Sequence, residues 1–341
     1  MKRAKDVIIN ILREVGEEGI TQAELVKLTS LSRSRVSEIL RQLEREGRVI
    51  RIRHAGKTYI VKLSCYTHKN KIKTLKLGIL RALEYPFIIP FMKKLRERGF
   101  RVQLYVYDNA IPATHELTRG SLDLALTPLI TQFYFHELTG ALKIIGGGAL
   151  GGAYIVLSSN KANITINDLE HMNGASTKIS TMELCGLAVT KGKFNRVYIN
   201  KVEDYLKYME RKIVDYSIIW QPYAKILEER KCRILAKCED IIGPYYCCTL
   251  AINAGISDNL IDLIARLYID SFKGLQDNVK DYMKALARII DVNEGYVNYS
   301  LNSYNFIEYI NLKLVVDTLR RAHVNLPNPT RIIDVIWRGA L

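Results

Sequence analysis

The stretch Ser32-Arg-Ser-Arg-Val-Ser-Glu-Ile-Leu-Arg-Gln-Leu-Glu-Arg-Glu-Gly-Arg-Val-Ile50 sorts its residues onto two faces. Val36, Ile39, Leu40 and Leu43 recur at helical spacing and make one apolar stripe. Arg33, Ser34, Arg35, Ser37, Glu38, Arg41 and Arg45 fall on the other side. Ser32 stands at the N-cap position, where a hydroxyl accepts from an otherwise unpaired backbone N–H, and Gly47 closes the helix. Upstream, Thr21-Gln-Ala-Glu24 has the spacing of a capping box. It opens a short helix with Leu25, Val26 and Leu28 inward, and Thr29-Ser-Leu31 turns the chain. Before that, Val7, Ile8, Ile11, Leu12 and Val15 share one face of a first helix, ended by Gly16 and Gly19. Downstream, residues 48–53 and 58–63 alternate as two strands joined by His54-Ala-Gly-Lys57. Arg51 and Arg53 lie on the outer face of this hairpin.

Three helices, a tight turn between the second and third, and a basic hairpin resemble the winged helix-turn-helix of MarR- and Lrp-like transcription regulators. The resemblance covers about residues 4–63. It implies double-stranded DNA as partner. A helix fits the major groove, where arginine pairs with guanine and short serines allow close approach. Candidate DNA-binding residues are Ser32, Arg33, Ser34, Arg35, Ser37 and Arg41 on the helix, and Arg51, Arg53, His54 and Lys57 on the wing. A winged helix used for protein contact is the competing reading, and the basic wing argues against it.

Charge supports the same end of the chain. The 341 residues hold 50 Lys+Arg and 35 Asp+Glu, a net of +15. Residues 1–75 carry +9 of it, and the other 266 residues carry +6 with mixed signs. From Gly47 to Leu83 there are ten basic residues and no acidic one. A one-signed run beside a compact helical motif fits phosphate contact better than a merely solvated face. Length implies two or three domains, and 48% apolar residues supply their cores.

Several classes drop out. The apolar stretch Val7-Ile8-Ile9 is too short for a signal-peptide core, and no run of about 18 apolar residues is present to span a membrane. The expected setting is therefore cytoplasmic. The six cysteines, Cys65, Cys185, Cys232, Cys238, Cys247 and Cys248, form no CxxC pair. They read mainly as buried or unbridged thiols, with Cys232/Cys238 the pair nearest to a bridge. The six histidines are scattered, with neither HxH nor HExxH spacing, so no metal and no cofactor is expected. There is no GxSxG elbow. Cys247-Cys248 reads as buried small hydrophobes, with redox sensing as the sharper alternative.

Residues 64–74 are polar, basic and aperiodic and form the expected linker. Beyond them strands and helices alternate. Strands are expected at 76–80, 101–107, 122–126 and 153–158, with helices at 86–98, 110–119 and 130–138 between them. That alternation implies a mostly parallel α/β sheet. Gly146-Gly-Gly-Ala-Leu-Gly-Gly152 has no Gly-Lys-Ser/Thr and opens no helix, so it is not a P-loop. It reads as a hinge or close-packed crossover. The pattern then resets, with strands at 178–180, 197–199 and 214–219 and helices from Thr181 and over 202–211.

Arg119-Gly-Ser-Leu-Asp-Leu-Ala125 and Asp215-Tyr-Ser-Ile-Ile-Trp-Gln-Pro-Tyr223, with the strand at 76–80 and residues 166–169, resemble the type II periplasmic-binding-protein fold. The group in view is the sulfonate, nitrate and thiamine-pyrimidine binding proteins. Gln221 stands where that group has an acidic residue. The resemblance covers about residues 75–335. It implies two α/β lobes, 75–152 with 245–341 and 153–244, and a ligand between them at strand ends and helix N-termini. The candidates are Glu84, Tyr85, Thr127, Pro128, Gly151, Gly152, Ser180, Thr181, Trp220 and Gln221.

The fold class expected for the whole chain is thus α/β, a winged helix-turn-helix followed by a two-lobed binding domain. The joint architecture resembles a one-component regulator, in which a small polar or anionic effector in the cleft controls DNA affinity. A homodimer is expected, because one winged helix reads few base pairs. The alternatives are an enzyme of the thiamine-pyrimidine or menaquinone-pathway type with an autoregulatory winged helix, and a transport receptor. The enzyme is disfavoured by the absence of convergent His or Cys near strand ends.

Overall fold

Caps set the helix boundaries in the N-terminal part. In this computed structural model, which describes residues 2–16, 18–46, 48–55, 58–63, 73–158, 163–324 and 331–341, α1 (Lys2–Val15) and the short β1 (Ile20–Thr21) precede α2 (Gln22–Thr29). The Thr21 hydroxyl accepts from Glu24 N at 3.2 Å, and Glu24 reaches back to Thr21 N at 2.8 Å. Ser30 takes a left-handed φ of 55° and reverses the chain. Ser32 then caps α3 (Arg33–Arg45), accepting from Arg35 N at 3.2 Å. β2 (Val49–Ala55) and β3 (Thr58–Leu63) form the wing, and β3 lies between β1 and β2.

Ile8, Leu12, Leu25, Val36, Leu40, Leu43, Val49 and Val61 make the core of this part. Full burial of each such side chain contributes about 1.5–3 kcal/mol. Two expected core positions face outward. Leu28 is 61% exposed, and Val7 is 41% exposed while Ile9 takes the inward place. Ile8, Ile9 and Leu12 share one arc of the helix, and Val7 lies outside it.

The chain divides into compact units Met1–Lys73 and Thr74–Leu341. In the larger one, β4 (Lys73–Leu80), α4 (Ile88–Glu97), β5 (Phe100–Tyr107), α5 (Ala110–Thr118), β6 (Leu124–Pro128), α6 (Leu129–Thr139) and β7 (Leu142–Gly151) come first. Next are β8 (Ala153–Leu157), β9 (Asn173–Ser176), α7 (Thr181–Val189), β10 (Asn195–Tyr198), α8 (Val202–Glu210), β11 (Tyr216–Trp220), α9 (Tyr223–Glu229) and β12 (Arg233–Lys237). α10 (Glu239–Ile242) leads back to β13 (Tyr246–Asn253). α11 (Asp258–Asp270), α12 (Leu275–Ile289), α13 (Val297–Leu301), β14 (Tyr304–Ile307), α14 (Leu312–Arg321) and α15 (Arg331–Val335) complete it. One sheet has the order β14-β7-β13-β6-β4-β5 and the other β10-β9-β11-β8-β12. They define two α/β lobes.

Neither sheet is mostly parallel, contrary to expectation. β4 pairs parallel with β6, but β13 runs antiparallel to both β6 and β7. In the second sheet β9, β10 and β11 are parallel, and β8 is antiparallel to β11 and β12. The chain leaves the first lobe along β7 and returns along β13, which reverses direction in the middle of the sheet.

The glycine-rich run is not a hinge over its length. Gly146–Gly148 and Gly151 lie within β7. A Cβ on Gly148 would collide with the Cys248 carbonyl, and one on Gly146 with the Tyr268 ring. Only Gly152, at φ 87° under the Tyr304 ring, separates β7 from β8.

Other expectations are also corrected. The strand placed at 178–180 is β9, ending at Ser176, and Ile179 sits in a turn with φ 51°. Lys73 and Thr74, assigned to the linker, already belong to β4, while residues 64–72 lie outside the described residues. The disulfide joins Cys185 to Cys238, tying α7 to the start of α10, and Cys232 is buried and unbridged. Residues 185 and 238 are 53 apart in sequence, so only the fold brings them together.

Candidate functional site

The exposed side of α3 carries Ser32, Arg33, Ser34, Arg41 and Arg45, with Arg35 and Ser37 half-buried. Ser32 and Ser34 hydroxyls lie 3.0 Å apart. Arg35 pairs with Glu38 at 2.6 Å. Arg51 is held by Glu44, which raises its pKa through that hydrogen bond. Arg51 thereby ties the wing to α3. Arg53 and His54 lie on β2, and Lys57 falls outside the described residues.

In the larger unit, the carboxyl ends of strands from both sheets face one cavity. Leu80 ends β4, Ala82 and Glu84 follow it, Asp108 and Ala110 follow β5, and Pro128 ends β6. From the other lobe come Thr177 after β9, Met182 on α7 and Trp220 at the end of β11. Cys247 and Cys248, at the start of the antiparallel β13, complete the lining. The space open to the centre of a water-sized sphere is about 20 Å³. That volume suits a water or an ion, since one water needs about 10–15 Å³ by this measure.

The lobes are closed over it. Trp220 Nε1 donates to Arg81 O at 3.1 Å, and Asn109 Nδ2 to Asn200 Oδ1 at 2.9 Å. Thr131 Oγ1 donates to Ile179 O at 2.5 Å, and Thr181 Oγ1 to Cys247 O at 3.3 Å.

Of the ten ligand candidates, Glu84, Pro128 and Trp220 line this cavity. Tyr85 and Thr181 lie one layer behind. The Tyr85 hydroxyl donates to Cys248 Sγ at 3.1 Å. Five candidates do other work. Thr127 accepts from Thr114 Oγ1 at 3.1 Å and from Gln132 within the first lobe. Ser180 caps α7, accepting from Glu183 N at 3.2 Å and donating to Thr177 O at 2.6 Å. Gln221 Oε1 accepts from Lys225 N at 3.3 Å. Gly151 accommodates a left-handed backbone, and Gly152 borders a separate polar cavity with Lys237, Glu239 and Ser303.

The expectation of no convergent cysteine does not hold. Donor atoms of Glu84, Cys247 and Cys248 all lie within 4.8 Å of one another, and all three residues are buried. Neighbouring strand residues normally point to opposite faces. Here a β-bulge intervenes, because Tyr246 pairs with Leu150 and Thr249 with Gly148, so both cysteines oppose the single residue Ala149. Sequence alternation gives no sign of the bulge. Asp108 was legible in principle, as the residue just past the strand at 101–107; Thr177 was not, because the strand was expected at 178–180, after it.

Burial raises the Glu84 pKa, and the neighbouring Cys247, Cys248 and Tyr85 groups offset this only in part. The Cys248 hydrogen bond lowers Cys247, but burial and the Glu84 charge outweigh it and push that thiol up to about 11. Burial, then Cys247 and Glu84, hold Cys248 well above the usual thiol range. Glu84 Oε2 has no hydrogen-bond partner among the described residues. No Lys, Arg or His is among the residues that line the cavity. Of its two carboxyl groups, Asp108 is paired with Arg81 at 2.9 Å, while Glu84 has no basic partner among the lining residues, which disfavours an anion beside Glu84.

The MarR family model matches residues 8–57. Solved structures match the larger unit. One is the ligand-binding component of an ABC-type import system from Staphylococcus aureus with zinc bound, at 16% identity, TM-score 0.63, covering 74% of this chain and 91% of that one. Another is the alkanesulfonate-binding protein SsuA from Xanthomonas axonopodis pv. citri bound to MOPS, at 16% identity and TM-score 0.62, covering 77% and 98%. A third is the periplasmic aliphatic sulphonate-binding protein SsuA from Escherichia coli, at 15% identity and TM-score 0.62, covering 79% and 93%. These identities carry the fold alone. No curated protein matches the sequence. The chain thus joins a MarR-type winged helix to a two-lobed domain of the type II periplasmic-binding-protein fold.

Proposed function

We propose that this protein is a ligand-responsive transcription regulator, which binds double-stranded DNA through α3 and the wing and senses a small ligand between the lobes of its larger unit. The observation that carries the reading is the pairing of a MarR-matched winged helix, whose α3 exposes Arg33, Arg41 and Arg45, with a two-lobed binding fold. No helix among the described residues is long and apolar enough to cross a membrane. Linkage then requires that ligand and DNA change each other's affinity by the same factor, typically about 5–150-fold.

A duplex selected from a random pool by the full chain provides the test. Neutralising phosphates releases counterions, so affinity should fall about tenfold between 50 and 200 mM salt for every two phosphates contacted. Replacing both Arg33 and Arg41 by alanine should weaken binding and flatten that slope by about two phosphates. A flat salt dependence, together with unchanged affinity in the double variant, would overturn the reading.

A further inference from the structure

We propose that Glu84, Cys247 and Cys248 bind a thiophilic divalent cation of the zinc class, and that this cation is the ligand sensed in the cleft. The second half rests on the regulator reading above; the first half does not.

Chemistry and space argue together. The three donors stand within 4.8 Å of one another. Tetrahedral zinc, with metal–sulfur bonds of about 2.3 Å, places its ligand atoms up to about 3.8 Å apart, so a small side-chain adjustment closes the site. Two sulfurs and one carboxylate select a borderline-soft cation, whereas magnesium and calcium demand oxygen shells. Glu84 is 2% exposed, and its Oε2 lacks a hydrogen-bond partner among the described residues. No basic side chain lines the cavity, and the nearby Arg81 guanidinium is taken up by Asp108 at 2.9 Å, so the buried Glu84 carboxylate calls for a proton or a cation of its own. The cavity of about 20 Å³ admits an ion with one small companion and excludes a metabolite unless the lobes part. Three protein donors leave a fourth position; Asp108 lines the same space but is held by Arg81 at 2.9 Å.

The bulge gives the site its specificity of place. It turns both cysteines toward Glu84, while the Cys247 carbonyl accepts from Thr181 on the opposite lobe. A cation at Cys247 therefore acts on the strand end that holds the lobes together.

The test titrates Zn2+ alone into the full chain under anaerobic conditions without added reductant, which keeps the Cys185–Cys238 bridge closed, with Co2+ as the spectroscopic substitute. A background with Cys65→Ser and Cys232→Ser leaves Cys247 and Cys248 as the remaining thiols outside the Cys185–Cys238 bridge. One equivalent per chain is expected. Cys247→Ser, Cys248→Ser and Glu84→Gln should each weaken binding by more than about tenfold. The unaltered chain should show a thiolate-to-cobalt charge-transfer band, which reads the ligands without relying on how the variants fold. Absence of binding, binding that survives both cysteine variants, or a Co2+ complex without that band overturns the site. DNA affinity measured on the same metal-free samples then reports whether the regulator reading stands by itself. Zn2+ binding at the site with no change in DNA affinity overturns the sensing half alone.

Discussion

Ser180 shows how a residue near a cleft serves the scaffold. Its hydroxyl accepts from Glu183 N and donates to Thr177 O while the side chain is 1% exposed. Ser180→Ala removes both bonds and should cost about 1–2 kcal/mol, measurable as a lower midpoint of chemical unfolding at constant slope. Ligand binding should survive, because the hydroxyl does not line the cavity. Glu84 is the opposite case. It is the first acidic residue after the run from Gly47 to Leu83, and it is buried rather than solvated. Its position after β4 was legible from strand-end reasoning. Its thiol partners were not, since Cys247-Cys248 reads as two buried small hydrophobes and nothing local announces the bulge that opposes both to Ala149.

At the scale of elements, β7 and β13 carry the architecture between them. Gly148 lies against the Cys248 carbonyl, where a methyl group has no room. Gly148→Ala should destabilise the larger unit by about 1–3 kcal/mol through overpacking and lower its melting temperature by roughly 2–4 °C per kcal/mol. It should also impair Zn2+ binding by pushing the bulge, and calorimetry with and without the ion separates the two effects. The winged helix was readable almost entirely, because caps, apolar stripe and turn are local signals that agree. Its departures were Val7 and Leu28, matters of a single helical turn. In the larger unit the alternation of strands and helices was readable, but strand direction was not. Whether β13 runs with or against its neighbours depends on pairing between residues more than a hundred positions apart, such as Thr249 and Thr127. The Cys185–Cys238 bridge was hidden for the same reason.

For the whole molecule, a winged helix that reads a two-fold operator calls for two copies of the chain. Light scattering in dilute solution should report twice the chain mass of 39.0 kDa; a value equal to one chain, with specific DNA binding retained, would count against the symmetric arrangement. The closed lobes have a further consequence, which concerns time. Trp220, Asn109, Thr131 and Thr181 hydrogen-bond across a cavity of about 20 Å³. An occupant so enclosed escapes no faster than the lobes separate, an event of microseconds to milliseconds or slower. Affinity would decide how much signal is needed to load the protein, whereas the rate of opening would decide how long the protein remembers it.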